Sequence, residues 1–326
     1  MYGYKKRQGY FRVYLKKKII KVKKKILITG GTGFIGTHLA EKCIKLDWKV
    51  TCIHQKQLVK KKILGVKYIR CDLSNKKNIE KKINERFDYV VNLAGYVDHS
   101  NKVKTYQTHF IGCKNVADFF LKKKILKFLQ MGSCLEYGSL KSPHQEDLFT
   151  NLDKMKSFYS KSKLLATNYL LKLNRNKNFP SCILRLYLAY GPGQDTNRFI
   201  PITINACLKN KNFDTSDGIQ KRDFLFIDDL ISLIIKALLS KFSSGKIFNA
   251  GSGNPQVLKS ITNRIIKESG GGFANYGKIK LRKDEVLNVY PSIVKAKKIL
   301  KWKPKINFIV GLKKTIKHYR NGLCQS

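Results

Sequence analysis

Residues 26–36 read Ile-Leu-Ile-Thr-Gly-Gly-Thr-Gly-Phe-Ile-Gly, a short apolar run that passes directly into a glycine cluster and then into an amphipathic stretch. A strand that turns straight into a helix through such glycines belongs to few folds. Gly31, Gly33 and Gly36 satisfy G-x-G-x-x-G, and Gly30, Gly33 and Gly36 satisfy G-x-x-G-x-x-G. One glycine permits a tight turn at positive φ, one lets the backbone approach a pyrophosphate, and one lets helix and strand pack closely. The helix, from Phe34 to about Leu46, aims its N-terminal N–H groups and positive dipole end at the phosphates. The segment therefore reads as the first βα unit of a dinucleotide-binding sheet, with Gly30, Gly33, Phe34, Ile35 and Gly36 as candidate cofactor contacts.

The rest of the chain keeps the same rhythm. Strands are expected at 26–29, 49–53, 66–70, 89–93, 128–131 and 181–186, and helices at about 34–46, 75–85, 104–124 and 157–173. This pattern implies an α/β fold, a Rossmann-type doubly wound parallel sheet. After Gly191-Pro192-Gly193 the alternation loosens. A helix near 199–209, a strand near 224–227 and helices near 229–241, 256–268 and 308–319 suggest a smaller C-terminal α+β lobe for substrate. The expected division is a basic arm at 1–25, a dinucleotide-binding domain at 26–190, and a lobe at 191–326 that partly returns to the first domain. A cleft between the two is the default ligand site.

Lys+Arg number 66 against 21 Asp+Glu, a net charge of +45. A nucleic-acid or anionic-membrane surface would concentrate such charge and favour arginine. Here the excess is mostly lysine, spread along the whole chain, which fits solvated surface positions better than a nucleic-acid partner. Residues 1–25 hold eleven Lys/Arg and no acid. They lack the apolar core and cleavage site of a secretory signal and read as a loosely ordered arm or an over-long start. No apolar run reaches the roughly 18 residues of a membrane span. Eight cysteines are scattered without a C-x-x-C pair, which suggests reduced thiols in a cytoplasmic protein and no zinc site.

At the end of the second strand a site for NAD usually carries an acid that binds the adenosine ribose. This chain has no Asp or Glu from Trp48 to Cys71, and the strand ends Ile53-His54-Gln55-Lys56. His54 and Lys56 suit a 2′-phosphate, so the cofactor is NADP or NAD, with NADP the better fit. Asp72, followed by Leu73, either bonds the adenine amino group or caps the next helix with Ser74. Tyr159 and Lys163 stand four residues apart and share a helix face. An ammonium beside a phenol is expected to lower the phenol pKa from about 10 toward neutrality. Such a tyrosine serves as general acid or base at a carbinol carbon. The other face of that helix is expected to bury Phe158, Leu164, Leu165, Tyr169 and Leu171. Ser133, at the end of a predicted strand, has a hydroxyl that can bond the same reacting oxygen.

Thr29 through Gly36, Asn92-Leu93-Ala94-Gly95, Ser133 through Tyr137-Gly138 and Tyr159-x-x-x-Lys163 together resemble the extended short-chain dehydrogenase/reductases, and more narrowly the nucleotide-sugar epimerase/dehydratase group. The likeness extends through Arg185 to Gln194, Arg198-Phe-Ile-Pro201, Asp217 to Asp229, Phe248 to Gly253, Leu300 to Pro304 and Gly311-Leu312. It implies that Tyr159 is the acid/base, that Lys163 binds the nicotinamide ribose, and that Ser133 orients the substrate oxygen. It further implies that Leu93, Ala94 and Gly95 contact the cofactor, and that Arg198, Arg222 and Arg282 belong to the nucleotide-sugar site. Two arginines suit a diphosphate because their guanidinium forks make charge-assisted bonds. The chain departs from the pattern where dehydrating members carry an acid pair: it has Cys134-Leu135, which argues against 4,6-dehydration. Leu188 and His109 stand where many relatives have asparagine.

The expectation is an NAD(P)-dependent oxidoreductase acting at C4 of a nucleotide-diphosphate sugar. An NDP-4-keto-6-deoxyhexose reductase is favoured over an NDP-hexose 4-epimerase with tightly held NAD. A non-catalytic Rossmann protein that binds nucleic acid is the distant alternative. By the resemblance, helices 104–124 and 157–173 pair in a homodimer.

Overall fold

Ile26 and Ile28 face one side of the first strand and Leu27 the other, and all three are fully buried. A strand buried on both faces needs helices above and below it. The structure, a computed structural model, describes residues 23–59, 62–98, 100–282 and 285–323. Residues 1–22 of the expected arm lie outside the described residues.

The first half runs β1 (Lys25–Thr29), α1 (Phe34–Lys45), β2 (Lys49–His54), β3 (Val66–Arg70), α2 (Lys76–Lys82), β4 (Tyr89–Asn92), α3 (Lys102–Tyr106), α4 (Gly112–Leu121), β5 (Lys127–Ser133), α5 (Phe158–Lys177) and β6 (Ser181–Leu186). The second half runs β7 (Leu188–Tyr190), α6 (Phe199–Leu208), β8 (Asn212–Asp214), β9 (Lys221–Arg222), β10 (Phe224–Phe226), α7 (Ile227–Leu239), β11 (Lys246–Ala250), β12 (Gln256–Val257), α8 (Leu258–Ser269), β13 (Phe273–Asn275), β14 (Asn288–Val289), α9 (Val294–Leu300) and α10 (Phe308–Leu323). Seven strands form one sheet in the order β11-β6-β5-β4-β1-β2-β3, with every pairing parallel. The order turns outward from β1 in both directions, so a crevice opens at the carboxyl ends of β1 and β4.

α1 and α7 cover the face that carries Ile26 and Ile28, and the same core continues into Ile204, Ile265 and Leu312 of α6, α8 and α10. α2, α4 and α5 cover the face that carries Leu27, Val90 and Phe128. The second half therefore shares its core with the sheet, to which it contributes β11 and the covering helix α7. The smaller strands form the pairs β10–β7 and β13–β8 and the ribbon β12-β9-β14.

Four expectations need correction. The helix expected over 104–124 is interrupted: a π turn over Gln107–Ile111 separates α3 from α4. The extra residue in that turn aims His109 at the first turn of α5. α2 is short and is capped by Asn75, whose side chain accepts from Asn78 N, rather than by Asp72 with Ser74. β11 is unforeseen, because Phe248-Asn-Ala reads as a motif, while α9 puts Lys297 and Lys298 on an exposed helix face. Of the residues expected to be buried on α5, Leu164 is fully buried and Phe158 is exposed, and the buried set also takes in Ser160, Ser162, Lys163, Ala166, Thr167 and Leu170. Leu165, Tyr169 and Leu171 are only half-buried, because the deepest stripe is built partly of Lys and Thr and looks polar.

β11 closes the sheet with Phe248, which is fully buried. Phe248→Ala is expected to lower unfolding free energy by about 3–5 kcal/mol in a denaturant titration, as truncation of a buried aromatic does.

Candidate active site

The β1–α1 turn is held by backbone alone. Gly30 sits at φ 66°, and backbone crowds it: a Cβ there would lie 2.8 Å from the Leu93 carbonyl oxygen. A Cβ on Gly36 would lie 2.4 Å from the Gly30 carbonyl oxygen. α1 thus presses its first turn into the bend, with Gly33 as an N-cap that offers no side chain to the first N–H groups. Thr29 Oγ1 bonds Asn92 and accepts from Ala94 N at 3.2 Å, and Asn92 Nδ2 donates to Gln130 Oε1 at 2.7 Å. These side chains stitch the carboxyl ends of β1, β4 and β5 together below the crevice.

At the end of β2, His54 Nδ1 lies 3.0 Å from the Lys56 carbonyl oxygen. Asp72 Oδ1 accepts from Gln55 Nε2 at 2.9 Å and from Ser74 N and Oγ at 2.9 and 2.8 Å. Asp72 therefore braces its own turn and strand β2.

Across the crevice, α5 begins with Ser157 as N-cap, its hydroxyl accepting from Ser160 N at 3.1 Å. This start places Tyr159 in the first turn and Lys163 one turn deeper. Lys163 is buried, and its Nζ donates to the Met131 carbonyl at 2.7 Å and lies 5.8 Å from the centre of the Tyr159 ring. Burial pushes Lys163 down to about 8, while Glu136 and Cys113 pull it back. Tyr159 faces Ser133 across the same cavity and meets His109 edge to face, with centroids 4.9 Å apart. The expected softening of the phenol by Lys163 is not found. Burial dominates and pushes Tyr159 up to about 12, and the groups that oppose it are Ser133 and Arg198.

One cavity of about 1000 Å³ joins these groups. It is lined by Gly30, Gly33, Phe34, Ile35 and Gly36 of the turn; by His54, Lys56, Asp72 and Leu73; by Leu93, Ala94 and Gly95; and by Ser133, Tyr159, Lys163, Arg198, Arg222 and Arg282. The three arginines are not alike. Arg282 is exposed, whereas Arg222 is largely buried, ion-paired with Glu285, and donates to the Leu287 carbonyl at 2.9 Å. Glu285 thus already holds one end of the Arg222 fork.

Three lining or neighbouring acids escaped the sequence. Asp223 is fully buried and accepts from Ser252 N at 2.6 Å and Gly253 N at 2.7 Å, and burial raises its pKa. Glu285 holds Arg222. Glu136, fully buried, pairs with Arg185 at 2.9 Å. A signal was available for Glu136: it is one of few acids and sits between apolar residues and an aromatic. Among the described residues, no group of three His, Cys, Asp or Glu is placed to hold a metal, and no helix is long and apolar enough to cross a membrane.

A family model described as the NAD dependent epimerase/dehydratase family matches residues 26–251. The chain is 27% identical over 320 residues to the UDP-N-acetyl-alpha-D-glucosaminuronate decarboxylase of Bacillus cytotoxicus, covering 92% of this chain and 98% of that one. It is 29% identical over 310 residues to a putative UDP-glucose 4-epimerase of Methanocaldococcus jannaschii, covering 91% and 98%. The structure of an epimerase from Methanothermobacter thermautotrophicus superposes with a TM-score of 0.85 at 21% identity, covering 93% and 94%, a likeness of fold. The chain belongs to the NAD dependent epimerase/dehydratase family and is an enzyme that uses NAD or NADP.

The glycine turn fits that cofactor. Its backbone leaves a cradle that a side chain on Gly30 or Gly36 would fill, and the first N–H groups of α1 open toward it. Gly36→Ala is expected to weaken NADP(H) binding at least about ten-fold in a fluorescence titration, because a contact of 2.4 Å with backbone forces the turn open.

Proposed function

We propose that the enzyme acts at C4 of a nucleotide-diphosphate sugar, as a reductase of an NDP-4-keto-6-deoxyhexose that draws on NADPH. The observation that carries the C4 chemistry is the convergence of Ser133, Tyr159 and the buried Lys163 in one cavity with the glycine turn and three arginines. Hydride transfer is the chemistry that a nicotinamide supplies when bound there. Tyr159 gives the proton to the C4 oxygen and Ser133 holds that oxygen in line. Lys163, fixed by the Met131 carbonyl, orients the cofactor ribose and keeps a positive charge near the phenol. Leu93, Ala94 and Gly95 back the cofactor at the end of β4.

Arg198, Arg222 and Arg282 receive the diphosphate, with Glu285 released from Arg222 as it binds. His54 and Lys56, with no acid at the end of β2, take the adenosine 2′-phosphate. Cys134 and Leu135 line the sugar end without an acid pair, which supports a reading other than dehydration. The second reading is a 4-epimerase, favoured by the likeness to the M. jannaschii relative. In both readings residues 26–190 form the cofactor half, with α7 and β11 added, and most of 191–326 forms the sugar half. A two-fold dimer would use the surface of α3 to α5, where Val103, Tyr106 and Phe158 are exposed. The seven described cysteines are free, which suits a cytoplasmic site of action.

The test is a panel of NDP-hexoses and NDP-4-keto-6-deoxyhexoses, followed by NADPH absorbance and product NMR. Net oxidation of NADPH with a 4-keto sugar is expected. Isomerisation without change in absorbance would select the epimerase instead. Tyr159→Phe is expected to lower kcat by roughly 10²- to 10⁴-fold while cofactor affinity holds. Lys56→Glu is expected to shift the ratio of kcat/KM for NADPH over NADH down by about ten-fold or more, the worth of one charge-assisted bond.

A further inference from the structure

The Ser133–Tyr159–Lys163 group spans two elements, the end of β5 and the start of α5, and something must hold them in register. Glu136 lies in the single turn of 3₁₀ helix that follows β5 and is fully buried. Its Oε1 accepts from Ser133 N at 2.8 Å. Its Oε2 accepts from Thr167 Oγ1 at 2.8 Å and from Arg185 Nε at 2.9 Å. Thr167 is four residues beyond Lys163, and Lys163 four beyond Tyr159, so the three share one stripe of α5. Arg185 stands opposite Gly132 in the β5–β6 register. The strand makes room for this carboxylate, since a Cβ on Gly132 would lie 2.5 Å from Glu136 Oε1.

A buried carboxylate is unfavourable unless it is paired, and a buried pair adds little stability over well-packed apolar residues. Arg185 alone would supply the pairing. The remaining bonds of Glu136 go instead to the backbone of the candidate serine and to the helix of the candidate tyrosine. We propose that Glu136 is a positioning residue: one carboxylate ties β5, β6 and α5 together and thereby fixes Ser133 against Tyr159 and Lys163. The proposal rests on the C4 reading above for the roles of those three residues.

The same carboxylate acts on Lys163 through its field. Lys163 is faced by Glu136 from the turn after β5, by Cys113 from α4 and by Tyr159 on its own helix, with His109 of the π turn beyond Tyr159 and Arg185 behind Glu136. Burial disfavours the ammonium, and Glu136 is the larger of the charges that restore it. Removing the anion lowers the pH at which Lys163 loses its proton.

Glu136→Gln and Thr167→Val, made in the full chain, test the tether. With NADPH and an NDP-4-keto-6-deoxyhexose, Glu136→Gln is expected to lose about ten- to a hundred-fold in kcat with KM changed less than about two-fold, as a misplaced reacting group does. Competitive labelling with acetic anhydride, read on the Lys163 peptide without substrate, should show its midpoint about one pH unit lower. Wild-type kcat or an unmoved midpoint in folded Glu136→Gln overturns the proposal. Should that variant not fold, wild-type kcat in Thr167→Val, where a loss of about three-fold or more is expected, overturns it. The labelling midpoint needs no turnover, so failure of the tether is separable from failure of the C4 reading, which Tyr159→Phe decides.

Discussion

Backbone against backbone at the β1–α1 turn is the constraint on which the cofactor half depends. α1 can begin where it does only because Gly36 meets the Gly30 carbonyl without a side chain between them, and Gly30 meets the end of β4 in the same way. That approach sets the angle of α1 across the sheet and leaves its N-terminal N–H groups open to the crevice. Thr29, Asn92 and Gln130 then lock the three strand ends side by side. Ser133 ends the last of these three strands, three residues beyond Gln130.

The parts of the fold legible in the sequence were those with a strong local signal. The first six strands and α1 were marked by apolar runs and glycines, and Tyr159 with Lys163 by their four-residue spacing. What escaped was set by tertiary contact. The π turn at 107–111 has an ordinary helical pattern on both sides, and only its neighbour Tyr159 gives it a purpose. β11 is five residues of mixed character whose strand state comes from pairing with β6. The buried stripe of α5 includes Lys163 and Thr167, so hydropathy pointed elsewhere. The ionisation of Tyr159 was misjudged for a related reason: the pairing with Lys163 was visible, but the depth of burial was not, and burial outweighs the neighbouring charge.

The charge balance looks different once the acids are located. A chain of +45 has few carboxylates, and several sit inside rather than on the surface. Glu136 compensates Arg185, Asp223 gathers the N–H groups of the Ser252 loop, and Asp229 receives Lys305 N and Ile306 N at 2.9 and 2.8 Å. Each pins a distant segment to the sheet or its covering helices. Glu285 differs, since it is bonded to an arginine that lines the cavity.

The cover for one face of the sheet comes from α7, and the last strand of the sheet is β11, both encoded after residue 226. During synthesis the ribosome releases β1 to β6 long before either arrives. For that interval the apolar side of Ile26, Ile28, Val91 and Leu129 has α1 alone to shield it, an exposed greasy surface of the kind that aggregates or recruits chaperones. The sheet is therefore completed only by segments from the later third of the chain.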